Sequence, residues 1–136
     1  LGFNFRRISA EKFSDSLARI KINSNLDIID IKEISSDILK GDDEILSIDF
    51  KYKIGYDPEI AKLEFEGTLL ISVEKGKSKE ILKEWENKKM LEELKMPLFN
   101  LIIKKSSIKA LQLEEEMNIP FHLPLPTVRK ADSDKK

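Results

Sequence analysis

The sequence predicts an α+β fold: an antiparallel four-stranded meander sheet, two helices packed on one face of it, and a C-terminal proline-rich extended strap. Three observations predict it. Residues 48–73 alternate apolar and polar with the period of a strand, and residues 78–117 carry apolar side chains at helical spacing. The closing stretch NIPFHLPLPTV (118–128) is too apolar for a loop and too rich in proline for a central strand.

The alternation is cleanest in Ile48, Phe50, Tyr52, Ile54 and Tyr56, interleaved with Asp49, Lys51, Lys53 and Gly55. One face is expected buried and the other wet. Asp57-Pro58-Glu59-Ile60 has Asp and Pro where a type I turn favours them, and Leu63, Phe65, Leu69, Ile71 and Val73 then resume the pattern. Closing that turn sets Ile54 opposite Leu63, Tyr52 opposite Phe65 and Phe50 opposite Gly67. The other face then pairs Lys53 with Glu64 and Lys51 with Glu66, each cross-strand pair contributing some tenths of a kcal/mol. A slip of one residue would set apolar against charged throughout.

Upstream, Arg19–Ile22 and Asn25–Ile34 read as strand segments joined by a bulge or bend at Asn23-Ser24-Asn25, and FNFRRI (3–8) as a shorter strand. SSDILKGDD (35–43) is a turn-rich connection.

After Gly76, Ser78 is the expected N-cap of a first helix, whose apolar side is Ile81, Leu82, Trp85 and Leu91. Pro97 marks a break or first-turn position. The second helix runs from Leu98 to about Met117. Its apolar stripe (Leu98, Leu101, Ile102, Ile108, Leu111, Met117) is widened by Phe99, Ile103 and Leu113, which is broader than one sheet face covers. Pro120 ends this helix. Phe121, Leu123 and Leu125 then alternate in the strap and are expected to lie together over apolar surface. Residues 1–128 thus form one domain, and RKADSDKK (129–136) a disordered charged tail.

The 136 residues carry 24 basic and 25 acidic side chains, no cysteine and one histidine. That balance offers no basic footprint for nucleic acid, and the absence of cysteine excludes a disulfide framework or a cysteine-ligated metal. No apolar run approaches the roughly 20 residues of a membrane span, so the expected address is the cytoplasm. The abundance of Ile, Lys and Glu fits a thermophile as well as an AT-rich genome. A lone His122 leaves no histidine cluster for a metal and no Ser-His-Asp arrangement; it reads as a strap side chain. Asp42-Asp43-Glu44 reads as a solvated loop, Glu114-Glu115-Glu116 as a solvated helix face, and Glu64 with Glu66 as half of a charge ladder.

The order of these features resembles the SecB-like fold of bacterial export chaperones. The resemblance is carried by FNFRRISAEKF, SIDFKYKIGYDPEIAKLEFEGTLLIS, PLFNLIIKKSSIKALQLEEEM and PFHLPLPTV, nearly the whole chain. In that family a proline and an apolar pair open the long helix, and a segment with interspersed prolines follows it. Pro97-Leu98-Phe99 and Pro120 through Pro126 occupy those places. The resemblance implies a homo-oligomer, commonly a dimer of dimers, that holds unfolded polypeptide in apolar grooves without ATP. The family's zinc-binding tail, which docks on the export motor, needs cysteines that RKADSDKK lacks, so motor coupling is not expected.

The expected function is therefore an ATP-independent, holdase-type chaperone or peptide-binding protein, non-enzymatic and without cofactor or metal. It would be a dimer or tetramer that takes unfolded polypeptide or a protein partner through Phe3, Phe5, Phe13, Trp85, Phe99, Phe121 and Leu123. The other reading is a non-catalytic interaction subunit of a larger assembly, ribosomal or nucleic-acid-associated.

Overall fold

A computed structural model describes residues 2–16, 19–34 and 43–126. The elements are β1 (Gly2–Lys12), β2 (Lys21–Ile34), β3 (Glu44–Asp57), β4 (Ala61–Val73), α1 (Lys77–Glu86) and α2 (Glu92–Met117). The expected tail at 129–136 lies outside the described residues, as does most of the 35–43 connection.

The four-stranded antiparallel sheet and the two helices that follow it match the sequence reading, and the central hairpin does so residue by residue. β3 pairs with β4 through Ile54–Leu63, Tyr52–Phe65, Phe50–Gly67, Lys53–Glu64 and Lys51–Glu66. The inward row of β3, from Leu46 to Tyr56, is almost fully buried. The turn is not the type I turn expected: the Ile60 N–H donates at 2.8 Å to the carbonyl of Tyr56, one residue before Asp57, Asp57–Pro58 is cis, and Glu59 is left-handed.

Strand order refines the meander. It is β1-β4-β3-β2, so β2, β3 and β4 follow one another while β1 crosses to the far edge beside β4. Side-chain chemistry accounts for the crossing. Phe3 and Phe5 lie 5.3 and 6.4 Å from Phe50, and Phe5 lies 5.7 Å from Phe65. On the wet face Arg7 contacts Glu64 at 3.1 Å and Glu66 at 3.0 Å. The Phe13 amide then donates to the Ile60 carbonyl at 2.8 Å, which ties the end of β1 to the β3–β4 turn and carries the chain towards β2.

Other local expectations are corrected. β1 extends to Lys12, and β2 is one strand running through Asn23-Ser24-Asn25, with its irregularity displaced to Ile28/Asp30. Ile29, the extra residue there, is exposed. On the charge ladder Lys51 reaches Glu66 at 3.7 Å, but Glu64 is met by Arg7 and Lys62. Arg7 above all holds the Glu64 carboxyl below the ordinary carboxylate range.

Ser78 does not cap α1; Gly76 stands at the cap in the left-handed region. The Ser78 hydroxyl instead donates at 2.6 Å to Glu44, which also accepts the Gly76 N–H at 2.9 Å. Glu44, expected in a solvated loop, thus fastens the start of β3 to the first turn of α1. α2 begins at Glu92, not Leu98, with Pro97 inside it. Its buried stripe runs Leu98, Ile102, Ser106, Ala110, Glu114 at four-residue intervals. Apolar residues at the start of that stripe pack on Leu46, Ile48 and Phe50, while the small Ala110 meets the rings of Tyr52, Tyr56 and Phe65.

Two tests follow from the sheet and its fastening. A Cβ on Gly67 would stand 2.4 Å from the Asn4 carbonyl oxygen and 2.7 Å from the Phe50 ring. Gly67→Ala should therefore lower stability by about 1–3 kcal/mol in urea unfolding. Hydrogen bonds, first from Ser78, hold the Glu44 carboxyl below its ordinary 4.5. A depressed native value stabilises the fold above the unfolded pKa and loses that contribution as pH falls through the native one. The gap in urea midpoint between wild type and Glu44→Gln should be full above about pH 5 and close on acidification.

Candidate functional site

Two features of the helical layer concern function: an open groove at one end of α2 and a buried polar cluster at the other. The groove arises where α1 stops. Lys88 takes the left-handed conformation (φ 58°), its N–H donates to the Trp85 carbonyl at 2.7 Å, and the Lys89 N–H reaches the Glu84 carbonyl at 3.1 Å. This is a Schellman termination with lysine where glycine is usual. The reversal brings Met90 and Leu91 back over the sheet and starts α2, so Trp85 and Phe99 approach one space from two helices. With Ile28 of edge strand β2 and Met90 they line a groove of about 550 Å³.

The polar cluster arises where α2 stops. Asn118 is left-handed, the Ile119 N–H donates to the Glu114 carbonyl at 2.9 Å, and Pro120 forbids further helix. The chain folds back over Glu114, whose side chain has no solvent exposure. Glu114 accepts from the Tyr56 hydroxyl, from the His122 N–H at 3.3 Å and from His122 Nδ1 at 2.8 Å. His122 Nε2 lies 3.2 Å from Ser107 Oγ. Burial, then the contact with Glu114, pushes the Tyr56 hydroxyl pKa up.

This overturns two sequence readings. Glu114 is a buried acceptor rather than part of a solvated face. Ser107, His122 and Glu114 do fall into a Ser-His-acid line. The line lacks the rest of a hydrolase site. Ser107 is buried in the middle of α2, where neighbouring backbone N–H groups are spent within the helix and leave no oxyanion donors. What the cluster does chemically is hold: every polar atom of the imidazole and the carboxylate is engaged, and the strap is pinned to α2.

His122 points in, while Phe121, Leu123 and Leu125 are 38%, 42% and 44% exposed. The predicted binding residues divide accordingly. Trp85 and Phe99 come together in the groove; Phe121 and Leu123 sit outward on the strap; Phe13, 56% exposed, stands by the β3–β4 turn. Phe3 and Phe5 are half-buried, 5.0 Å apart, and belong to the packing around Phe50. On α2, Met96, Ile103 and Ile108 are also exposed. Sequence reasoning missed Ile28 and Met90 in the groove and the partners of His122. Glu114 could have been found, since it continues the four-residue stripe from Leu98.

Among the described residues there is no group of three or more His, Cys, Asp or Glu placed to hold a metal, and no helix is long and apolar enough to cross a membrane.

Loss of the His122 ring should leave Glu114 underbonded in a dry site. His122→Ala is expected to cost about 2–4 kcal/mol and Tyr56→Phe about 1–2 kcal/mol in urea unfolding. The double mutant should fall short of their sum by more than about 0.5 kcal/mol; strict additivity would show that the cluster does not act as a unit.

No protein family and no curated protein matches the chain. Among solved structures it is similar to the Mycobacterium tuberculosis Rv1957 SecB-like chaperone in complex with a ChAD peptide from the Rv1956 HigA1 antitoxin. The identity is 12% and the TM-score 0.49, over 96% of this chain and 89% of that one. A likeness at this level assigns neither ligand nor partner to the present chain.

Proposed function

We propose that the protein is a non-enzymatic polypeptide-binding protein of the holdase type, which retains extended or unfolded segments on apolar surface without ATP. The observation that carries the reading is the open groove of Ile28, Trp85, Met90 and Phe99 beside β2. Among the described residues β2 lies at the sheet edge and pairs on one side only, with β3. An extended segment can there place a side chain against aromatic and thioether groups, and its backbone against a free strand edge.

Magnitudes decide how such a protein must work. Burying one large apolar side chain contributes roughly 1.5–3 kcal/mol. Association costs of about 4 kcal/mol or more consume that. One groove holds an unfolded chain only fleetingly, so several weak sites must act on the same client. Phe13 and the outward row Phe121, Leu123 and Leu125 supply further apolar contacts within one copy. Assembly into a dimer or tetramer multiplies them through effective concentration.

The test is suppression of aggregation of a chemically denatured protein at stoichiometric ratio, without nucleotide. Wild type should suppress it, and Trp85→Ala with Phe99→Ala should weaken client binding by about tenfold or more while the fold is retained. A well-folded wild-type protein that leaves aggregation unchanged would falsify the proposal.

A further inference from the structure

We infer that the Trp85–Phe99 groove selects apolar segments that carry acidic side chains, and disfavours basic ones. This deepens the peptide-holding reading and rests on it. Chain-wide charge offers no hint of such a preference, because the net charge is −1. The rim of the groove differs from the whole. It bears Lys88, Lys89 and Lys95 against Glu84 and Glu92. Among the described residues none of these three lysines is in an ion pair, as is true of most lysines of the chain, and neither Glu84 nor Glu92 is in one.

Two of the free ammonium groups lie over the aromatic lining instead. Lys88 Nζ stands 4.7 Å from the centre of the Trp85 ring, and Lys95 Nζ 5.6 Å from that of Phe99. A cation over an exposed ring gains only about 0.5–1 kcal/mol. A carboxylate on an incoming chain offers each ammonium a partner without breaking any ion pair within the protein. As the lysine swings outward to meet it, the face of the ring is released to the apolar neighbour of that carboxylate. Ligand acid and ligand anchor thus act on adjoining parts of one site. A basic segment meets an excess of lysine over Glu84 and Glu92 on the rim, and the rings stay covered. The left-handed conformation that ends α1 sets the Lys88 backbone beside Trp85.

A polypeptide fits better than another anion because Ile28 brings the edge of β2 to the groove. That edge offers both N–H and C=O groups to an extended chain, whereas a phosphate backbone, which only accepts, can use the N–H groups alone.

The chain's single tryptophan is the reporter, since it lies in the site. The probes are three extended nonapeptides with the same Leu, Val and Phe positions, carrying two Glu, two Gln or two Lys between them. Trp85 fluorescence titrations at 20 mM salt should rank them Glu, Gln, Lys. The acidic peptide should bind about three- to tenfold more tightly than the Gln form. The preference should vanish at 500 mM salt, where charges are screened within about 4 Å. It should also vanish in the Lys88→Gln, Lys89→Gln, Lys95→Gln triple variant. Equal affinity for the three peptides overturns the charge selection while leaving the groove a peptide site. Absence of binding by all three overturns the groove as a peptide site, and this inference with it. Tighter quenching by a single-stranded oligonucleotide than by the acidic peptide overturns the assignment to polypeptide.

Discussion

The β3–β4 ladder is the constraint from which the rest of the structure hangs. It is the centre of the sheet, with β2 on one side and β1 on the other. Its inner rows, Leu46 to Tyr56 and Ala61 to Leu69, are the floor on which both helices rest. Register here is settled twice over, by apolar rows that must face the helices and by Lys51 and Glu66 on the wet side. It also sets Gly67 beneath Phe50, and this gap admits the Phe50 ring next to the backbone of β1. A shift of one residue would remove the floor, the socket and the outer charge pairing together.

What the ladder does not settle is how its floor is covered, and two different physical solutions are used. Over the upper half, apolar side chains of α1 and α2 bury Ile48, Phe50 and Leu69 in the ordinary way. Over the lower half, the helix turns small and then polar: Ser106, Ser107, Ala110 and Glu114 are its buried residues. There Tyr56 reaches up from the sheet to Glu114, and the returning strap supplies His122. A polar clasp fixes one chain direction and one register, which apolar sliding contacts do not. Its demand is complete bonding in a dry place, and Glu114 with three donors meets it. Ser106, buried with no hydrogen-bond partner, is the local exception.

Legibility followed the range of the interactions concerned. The register of the central hairpin could be read because its period and its turn lie within some thirty residues. The crossing of β1 was hidden, because its reasons are the rings of Phe50 and Phe65 and the carboxylates of Glu64 and Glu66, all far along the chain from β1. Trp85 and Phe99 were visible as unplaced aromatics, and they do share a groove. That they meet depends on Lys88 adopting a backbone conformation that propensity does not favour. Apolar alternation in the strap argues for one facing and its single histidine for the other; here the imidazole has a buried carboxylate on one nitrogen and a hydroxyl on the other.

The same polar clasp explains why apolar surface is left over. A strap held by its outer row would have needed Phe121, Leu123 and Leu125 facing the protein, with no apolar row left outward on the strap. Held by His122, it presents those three side chains to solvent on a backbone whose prolines at 120, 124 and 126 have no amide hydrogen to donate. Such a segment offers apolar contact without a continuous strand edge, so it resists templating β-aggregation of its own kind. The groove at the other end of α2 combines contact with the free edge of β2, guarded by lysines. Stickiness and restraint are thus paired at both ends of the helix, by proline in one case and by charge in the other.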